Sequence, residues 1–288
     1  GKEYARFAPH IPASDQWCGN RLMVTQNDSV WELVSPAGRC KKKRWLTFSN
    51  LTAELALEKQ KVSRISFPNE EGGVAIFTTG NGIGTCDPKR KKVLSFFSYP
   101  EESANHTLSP SGHHLTYTRA NNLFLLDSEG REQAVTNERD RGIVSGQSVH
   151  RNEFGIMGGI FWSPNGSRIA FYRMDERMVS NYPLVDASAR VAEPNPERYP
   201  MAGMASHEVT IGIHDTVNGR TIWLATGEPA AQYLTNIAWG PDGKSLYVAH
   251  LNRGQDTMQL VRYNSETGKK ELTLFRETHP KYVEPENP

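Results

Sequence analysis

The chain has 288 residues, of which 37% are hydrophobic and 23% charged, and its formal net charge is +1. This composition is typical of a globular protein with a sizeable core, and the near-zero charge gives no electrostatic reason to expect nucleic acid as a partner. No apolar run approaches the roughly 18 residues of a membrane-spanning helix, so we expect no membrane span. The first residues do not form a signal peptide.

The cysteines are few and widely spaced. Cys18, Cys40 and Cys86 fit neither a disulfide framework nor a zinc site. One pair could still form a disulfide, and the sequence does not select which. His113 and His114 lack acidic or cysteine partners at ligand spacing. We therefore expect no metal ion and no other cofactor.

Short strands separated by turns fill the first hundred residues. Alternating apolar and polar residues predict strands at 21–25, 29–34, 44–47, 73–79, 82–86 and 92–99. The leucine-rich segment 49–58 is the best helix candidate, with Ser49 or Asn50 placed to cap it. This helix is short, and we expect it to connect strands.

A repeated turn organises the rest of the chain. Leu-Ser-Pro-Ser-Gly, Trp-Ser-Pro-Asn-Gly and Trp-Gly-Pro-Asp-Gly occur at residues 108–112, 162–166 and 239–243. Each turn is followed by an alternating strand, a strand that ends in a polar turn with glycine, and a strand that opens with a basic residue. Four short antiparallel strands per repeat are typical of a β-propeller blade. With the earlier strands, the sequence predicts an all-β chain that forms a partial propeller of about five four-stranded blades.

The second interval between these turns is longer than the first, so it must contain an insertion. Residues 177–207 supply it, because they are rich in proline and polar residues and do not alternate. Long segments of this kind in compact domains are usually functional or disordered. The sequence therefore predicts an irregular insertion near 177–207.

Charged residues flank the hairpin of the middle repeat. Residues 159–174 indicate two strands joined by the Ser-Pro-Asn-Gly turn. The hairpin does not need the flanking charges in order to fold, so they are candidates for function. They are Arg151, Glu153, Arg173, Asp175 and Glu176.

Five segments carry a family resemblance. They are Val-His-Arg-Asn-Glu-Phe-Gly at 149–155, Phe-Trp-Ser-Pro-Asn-Gly at 161–166, Ala-Phe-Tyr-Arg-Met-Asp-Glu at 170–176, Tyr-Pro-Met-Ala-Gly at 199–203 and His-Pro-Lys-Tyr-Val-Glu-Pro at 279–285. Together they resemble the N-terminal propeller region of dipeptidyl peptidase IV-type serine peptidases, closest to the bacterial branch that includes prolyl tripeptidyl peptidase. The resemblance is dense over residues 103–288 and thin before them.

The resemblance implies an incomplete enzyme. In that family an eight-bladed propeller precedes an α/β-hydrolase domain with a Ser-Asp-His triad, so residues 1–288 resemble the first part, without the hydrolase domain. No Gly-Xaa-Ser-Xaa-Gly elbow occurs in the sequence, and we expect no catalytic residue and no activity from this chain alone. The family is exported, which implies a periplasmic or secreted protein. Open blade edges lead us to expect a homo-oligomer.

The resemblance also implies a substrate-binding site. Glu153 matches the family's glutamate motif, which binds the free α-ammonium group of the peptide substrate. A carboxylate suits this role because a charge-assisted bond to ammonium is strong in a water-poor cavity. Many members have two adjacent glutamates, whereas here Asn152 precedes Glu153. The ammonium then needs another acceptor, for example from the hydrolase domain, and Asn152 could donate to a substrate carbonyl.

Alternatives stay open for the supporting residues. Glu153 could be a rim carboxylate paired with Arg151, and His150 either joins the site or is a structural, hydrogen-bonded histidine. A cluster of three further charges either orients Glu153 or forms structural ion pairs. Its members are Arg173, Asp175 and Glu176.

The residues leave the length of the released peptide open. Dipeptide-releasing members clamp a substrate carbonyl with an arginine, and the corresponding stretch here, residues 78–82, has none. We therefore expect the substrate-gating propeller of a serine exopeptidase that releases di- or tripeptides after proline. Its partners would be peptides with a free N-terminus and the hydrolase domain. The alternative is a stand-alone propeller that binds protein or glycan.

Overall fold

A computed structural model describes residues 15–26, 28–34, 41–55, 61–68 and 73–285. Cys40 and residues 56–58 of the predicted helix lie outside the described residues. The chain divides into two compact units, Gly1–Glu101 and Glu102–Pro288, which we describe separately. No helix in the described part of the chain is long and apolar enough to cross a bilayer.

The first unit contains two four-stranded antiparallel sheets and a helix. The first sheet consists of β1 (Asp15–Cys18), β2 (Arg21–Gln26), β3 (Ser29–Val34) and β4 (Lys41–Thr47), followed by α1 (Phe48–Glu54) and by the second sheet of β5 (Arg64–Ser66), β6 (Ala75–Thr78), β7 (Gly82–Asp87) and β8 (Lys92–Ser98). Strands in both sheets pair in sequence order. Their apolar faces and Leu51 of the helix form one buried core.

Helix α1 confirms the predicted helix, but its cap differs from the prediction. Thr47 occupies the N-cap position and makes no side-chain cap. The backbone N–H groups of Phe48 and Ser49 instead donate to the carbonyl oxygen and a carboxylate oxygen of Asp28, at 2.9 and 3.3 Å. A residue from a neighbouring turn therefore supplies the acceptors that Ser49 or Asn50 was expected to provide.

The second unit contains three larger sheets. The third sheet consists of β9 (Ala104–Leu108), β10 (His114–Arg119), β11 (Asn122–Asp127) and β12 (Glu132–Ala134). The fourth sheet consists of β13 (Ile143–Ser145), β14 (Ile160–Trp162), β15 (Arg168–Asp175), β20 (Glu208–Asp215) and β21 (Thr221–Trp223). Between β15 and β20 the chain forms four short strands, β16 (Asn181–Tyr182), β17 (Val185–Asp186), β18 (Glu193–Pro194) and β19 (Glu197–Arg198). The fifth sheet consists of β22 (Tyr233–Trp239), β23 (Ser245–Leu251), β24 (Thr257–Asn264) and β25 (Lys270–Thr278).

These strands confirm the predicted blades. The third and fifth sheets pair four strands in sequence order, and the fourth sheet has the order β13-β15-β20-β21 with β14 also paired to β15. Strands β10 and β11 are mostly buried, whereas β12 and β25 are largely exposed. In the described residues the chain therefore forms five antiparallel blades of a β-propeller, which follow one another in the sequence.

Two of the three repeated turns are built around a buried serine. In the fourth sheet the Oγ of Ser163 accepts the backbone N–H of Arg168 at 2.9 Å, and the N–H of Gly166 donates to the carbonyl of Ser163 at 2.8 Å. Gly166 has φ +70°, a left-handed conformation that glycine adopts without steric cost. In the third sheet Ser109 accepts from His114 in the same way, at 3.1 Å. The third copy has Gly240 in place of the serine, so all three turns share only backbone bonds, among them the one from the last glycine of the motif, which in this copy joins the N–H of Gly243 to the carbonyl of Gly240 at 2.9 Å.

The tryptophan of the repeated turn links consecutive blades. The indole Nε1 of Trp239 donates to the carbonyl of Phe161 in the fourth sheet, at 2.9 Å. The indole Nε1 of Trp162 lies 3.4 Å from the carbonyl oxygen of Thr107 and 3.3 Å from the hydroxyl of Thr116, both in the third sheet. Each indole therefore bonds to the preceding blade in addition to packing against it.

Two insertions interrupt the fourth sheet. Residues 146–159, which we call the excursion, separate β13 from β14, although both strands pair with β15. Residues 177–207 form an arm between β15 and β20. The sequence predicts that this segment is irregular, but β16 pairs with β19 and β17 with β18. Each of these strands is only two residues long. Such short strands show no alternation of apolar and polar residues from which the sequence could predict them.

We expect Trp239→Phe to lower the free energy of unfolding by about 1–2 kcal/mol, because the aromatic ring stays but the carbonyl of Phe161 loses its donor. Denaturation in urea, followed by far-ultraviolet circular dichroism, would measure the change. Trp223→Phe is the matched control, since Trp223 is 44% exposed and its indole makes no hydrogen bond with a described residue. Equal losses in the two variants would contradict the proposed link.

Candidate functional site

A cavity of about 660 Å³ opens beside the excursion. Its walls come from residues 150–154 of the excursion, from residues 199–207 at the base of the arm, from the fifth sheet and from residues 282–284. All of these segments belong to the second unit. The cavity therefore brings together three of the five stretches that carry the family resemblance, namely 149–155, 199–203 and 279–285.

Both ends of the excursion are bonded to one residue of β15. The N–H of Gly146 donates to the carbonyl of Tyr172 at 2.8 Å, and the N–H of Tyr172 donates to the carbonyl of Gly159 at 3.1 Å. A Cβ atom at Gly159 would lie 2.0 Å from the carbonyl oxygen of Gln147, so only glycine permits this crossing of the two chain segments. The excursion is therefore a closed loop that leaves the sheet and returns at nearly the same point.

The excursion carries a strained turn. His150, Arg151 and Asn152 have φ values of 52°, 56° and 61°, which is the left-handed region. Non-glycine residues rarely adopt this conformation, which costs roughly 1–2 kcal/mol per residue. The turn is closed by the N–H groups of Asn152 and Glu153, which donate to the carbonyls of Val149 and His150 at 3.1 Å each. Strain of this kind persists only where the surroundings fix the backbone, and it clusters at functional sites.

A pair of buried histidines fixes this turn. The N–H of Leu234 in the fifth sheet donates to Nε2 of His150 at 3.4 Å, so the proton of His150 is assigned to Nδ1. This Nδ1 lies 2.8 Å from Nε2 of His207, which therefore accepts. Burial, helped by the charges of neighbouring groups, lowers the pKa of His150 to about 3 and that of His207 to about 4. The two imidazoles are therefore neutral near pH 7.

A second set of contacts anchors the turn after Glu153. Phe154 is buried in an apolar cluster with Leu251 and Met258 of the fifth sheet and with Val283. Its carbonyl oxygen lies 3.0 Å from the buried hydroxyl of Thr235. Glu153 lies between this anchor and the histidine pair, so the backbone on both of its sides is held in place.

Glu153 is exposed at the edge of the cavity. It has no ion pair or side-chain hydrogen bond with any of the described residues. The pairing with Arg151 that the sequence leaves open is not formed, because Arg151 bonds to the carboxylate of Glu197 and to the carbonyl of Arg198 in the arm. The carboxylate of Glu153 therefore faces the cavity with its acceptor capacity unused.

Asn152 is the other residue that the resemblance assigns to substrate binding. Its amide oxygen accepts a hydrogen bond from the hydroxyl of Ser148. This bond leaves the amide NH₂ group as the part of the side chain that can donate to a ligand. Asn152 is exposed, next to Glu153 in the chain.

The structure does not bring all the supporting residues to Glu153. Arg173 pairs with Glu138 at 2.7 Å, and Asp175 pairs with Arg177 through two hydrogen bonds of 2.9 and 3.1 Å from the guanidinium Nε. These contacts agree with the interpretation as structural ion pairs.

Glu176 lies closer to the turn. It lines a smaller cavity, of about 300 Å³, together with Asn152 and Arg198. Burial raises the pKa of its carboxyl, and the nearby Arg198 and Arg151 partly offset this effect. Its carbonyl oxygen accepts from a guanidinium nitrogen of Arg198 at 2.7 Å, so Glu176 contributes to the base of the arm.

Some cavity residues are not among the sequence candidates. Tyr199, Tyr282 and Glu284 lie in motifs that carry the resemblance but received no role. Tyr233 and Arg253 come from the fifth sheet and the turn after β23, and no local pattern distinguishes them from other strand and turn residues. Only the packing of the excursion against that sheet brings them to the site.

Comparisons with known proteins support the family suggested by these motifs. Residues 77–288 match the family described as the dipeptidyl peptidase IV (DPP IV) N-terminal region. A protein assigned as dipeptidyl-aminopeptidase B in Talaromyces marneffei is 28% identical over 183 residues, which are 56% of this chain and 20% of that protein. Its counterpart in Neurospora crassa is 29% identical over 188 residues, 58% of this chain and 20% of that protein. The chain spans about a fifth of these relatives.

Solved structures show the same architecture. A Bacteroides ovatus protein assigned as a dipeptidyl aminopeptidase IV aligns with 95% of this chain and 38% of its own, with 43% identity and a TM-score of 0.80. Dipeptidyl peptidase 4 of Porphyromonas gingivalis aligns with 94% of this chain and 40% of its own, with 18% identity and a TM-score of 0.75, and shows the fold alone. Since the matched family covers well over half of the residues, the chain belongs to the dipeptidyl peptidase IV N-terminal region family.

Proposed function

We propose that residues 1–288 form the N-terminal propeller region of an exported serine exopeptidase and that this region binds the free N-terminus of the peptide substrate. The observation that carries the proposal is the carboxylate of Glu153, which lies at the edge of a cavity of about 660 Å³ and forms no ion pair with any of the described residues. The α/β-hydrolase domain that cleaves the peptide would be supplied by the rest of a longer protein.

The chemistry of the cavity suits an ammonium group. An α-ammonium has three donors and no acceptor, so it needs a carboxylate and further oxygen acceptors. Glu153 supplies the charge, and the neutral histidine pair adds no repulsive cation beside it. The amide NH₂ of Asn152 is available for the first substrate carbonyl. The carboxylate of Glu153 alone leaves part of the ammonium unsatisfied, which fits a second acceptor from the hydrolase domain.

The length of the released peptide and the preference for proline are finer parts of the same proposal. The proline pocket would lie in the hydrolase domain, and the propeller would limit how many residues fit between Glu153 and the cleaved bond. We propose release of di- or tripeptides after proline. A propeller that only binds protein or glycan would not require a free amine in its ligand.

We expect Glu153→Gln, in the peptidase that carries this chain, to lower kcat/KM for free-amine substrates by on the order of 10², through loss of about 3 kcal/mol of charge-assisted bonding. Steady-state kinetics with chromogenic prolyl amides would measure it. The exposed turn residue Glu129 supplies the control, and Glu129→Gln should retain wild-type kcat/KM.

Acetylated substrates provide the second control for this experiment. N-acetylation removes the ammonium charge, so acetylated peptides should be poor substrates for wild type and should show no further loss in Glu153→Gln. Wild-type kcat/KM in Glu153→Gln would rule out Glu153 as the anchor. Equal cleavage or binding of free and acetylated peptides by wild type would favour the binding-module alternative.

The histidine pair predicts a pH dependence of stability. The folded pKa values of His150 and His207, about 3 and 4, lie below the ordinary value of 6.5. Below pH 6.5 the unfolded chain therefore binds more protons than the folded chain, and the free energy of unfolding falls as the pH drops towards 4. The slope is up to about 1.4 kcal/mol per pH unit for each histidine.

We expect His207→Gln to make this slope shallower between pH 6.5 and 4.5, because one imidazole of the buried pair is removed and no longer titrates. Urea denaturation at half-unit pH intervals would give the slopes of wild type and variant. His113→Gln is the matched control, since His113 is exposed in a hairpin turn. If both variants change the slope equally, the pair does not act as a neutral buried support.

A further inference from the structure

The cavity also contains an arginine that is unpaired among the described residues and whose charge is opposite in sign to that of Glu153. Arg253 lies in the turn after β23, and its guanidinium lines the cavity. Nη1 of Arg253 donates to the hydroxyl of Tyr233 and lies 3.4 Å from the hydroxyl of Ser206. Both partners are uncharged, so they orient the guanidinium without neutralising it.

The charge of Arg253 has no partner among the described residues. None of their carboxylates lies within 4.0 Å of its guanidinium, whereas the other arginine of the cavity, Arg151, is paired with Glu197. Nε and Nη2 of Arg253 make no hydrogen bond within the same described residues. The histidines cannot supply a negative charge, and the charge of Arg253 contributes, after burial, to the lowered pKa of both.

The orientation of Arg253 is fixed before a ligand arrives. Its guanidinium carbon lies 5.4 Å from the centre of the Tyr233 ring, a cation–π contact. Tyr233 itself packs against Phe154 and His150, with ring centres 4.8 and 5.0 Å apart. The arginine is therefore attached to the same aromatic group that supports the turn carrying Glu153.

A guanidinium held in this way suits a carboxylate better than a neutral carbonyl. Its planar donors match the two oxygens of a carboxylate, and a carboxylate also compensates the charge. Arg253 is exposed, so solvent weakens the pair, and its contribution is that of a surface ion pair rather than of a buried one.

We propose that Arg253 is a specificity-determining residue of this cavity, which favours peptides that carry an acidic side chain within their first residues. The peptide's ammonium group would bind Glu153 while its aspartate or glutamate side chain pairs with Arg253. This inference rests on the proposed function, because it assumes that the N-terminus of the peptide enters the cavity.

The test compares matched substrates of the peptidase that carries this chain. The substrates would be chromogenic amides of two or three residues that end in proline. Each position before the proline would be varied in turn, with glutamate in one substrate and glutamine in its match. For wild type we expect kcat/KM to be about fivefold higher for glutamate than for glutamine at one of these positions. Arg253→Gln should reduce this ratio to about one, and Arg253→Lys, which keeps the charge but not the planar fork, should retain an intermediate ratio.

The design separates specificity from folding. A partial loss of folded enzyme lowers both rates equally, so the ratio reports only on the folded molecules. Arg220→Gln is the matched control, because Arg220 is exposed in the turn between β20 and β21 and lies outside this cavity. The ratio of kcat/KM for glutamate substrates to that for glutamine substrates should be the same in this variant as in wild type.

Two results would overturn the inference. One is a wild-type ratio of one at every position, and the other is a preference for glutamate that survives in Arg253→Gln. If Glu153→Gln still impairs cleavage of free-amine peptides in either case, the proposed function stands and only the role of Arg253 fails. If Glu153→Gln has no effect, the proposed function itself fails.

Discussion

The site depends on three hydrogen bonds of one buried residue, Tyr172. Its backbone N–H and carbonyl bond to Gly159 and Gly146, which are the two ends of the excursion, and its hydroxyl donates to the carbonyl of Leu234 at 2.8 Å. The N–H of the same Leu234 donates to His150. One residue of the fifth sheet, Leu234, is thus bonded both to β15, which holds the ends of the excursion, and to the turn within the excursion. This double attachment gives the left-handed backbone the support that offsets its strain.

Scaffold and site are connected through packing between blades rather than through a separate binding domain. The indole of Trp239 and the hydroxyl of Tyr172 join the fourth sheet to the fifth, and their apolar neighbours form one shared core. The cavity lies where this junction meets the base of the arm. Charged groups at its surface, Glu153 and Arg253, are therefore held by neutral and apolar contacts, so neither must be neutralised by a neighbour in order to stay in place.

The sequence predicts those features that short local patterns determine. Repeated turns indicate the blades, and the motif around Glu153 indicates the residue that we propose to bind the substrate. Features that arise from distant parts of the chain could not be predicted, because no local pattern records them. The bond between His150 and His207 spans 57 positions. The position of Arg253 depends on how the fifth sheet packs against the excursion, and the paired strands of the arm are too short to show alternation.

The break between β13 and β14 has an evolutionary consequence. Ser145 pairs with Arg173 and Ile160 with Phe171, so both strands keep the register of a single continuous ladder. This register does not depend on how many residues connect β13 to β14. Mutations that change the length of the intervening loop between Gly146 and Gly159 leave the inward and outward faces of β13 and β14 unchanged. Ligand preference in such a protein can therefore diverge by insertion and deletion, while the propeller around it stays constant.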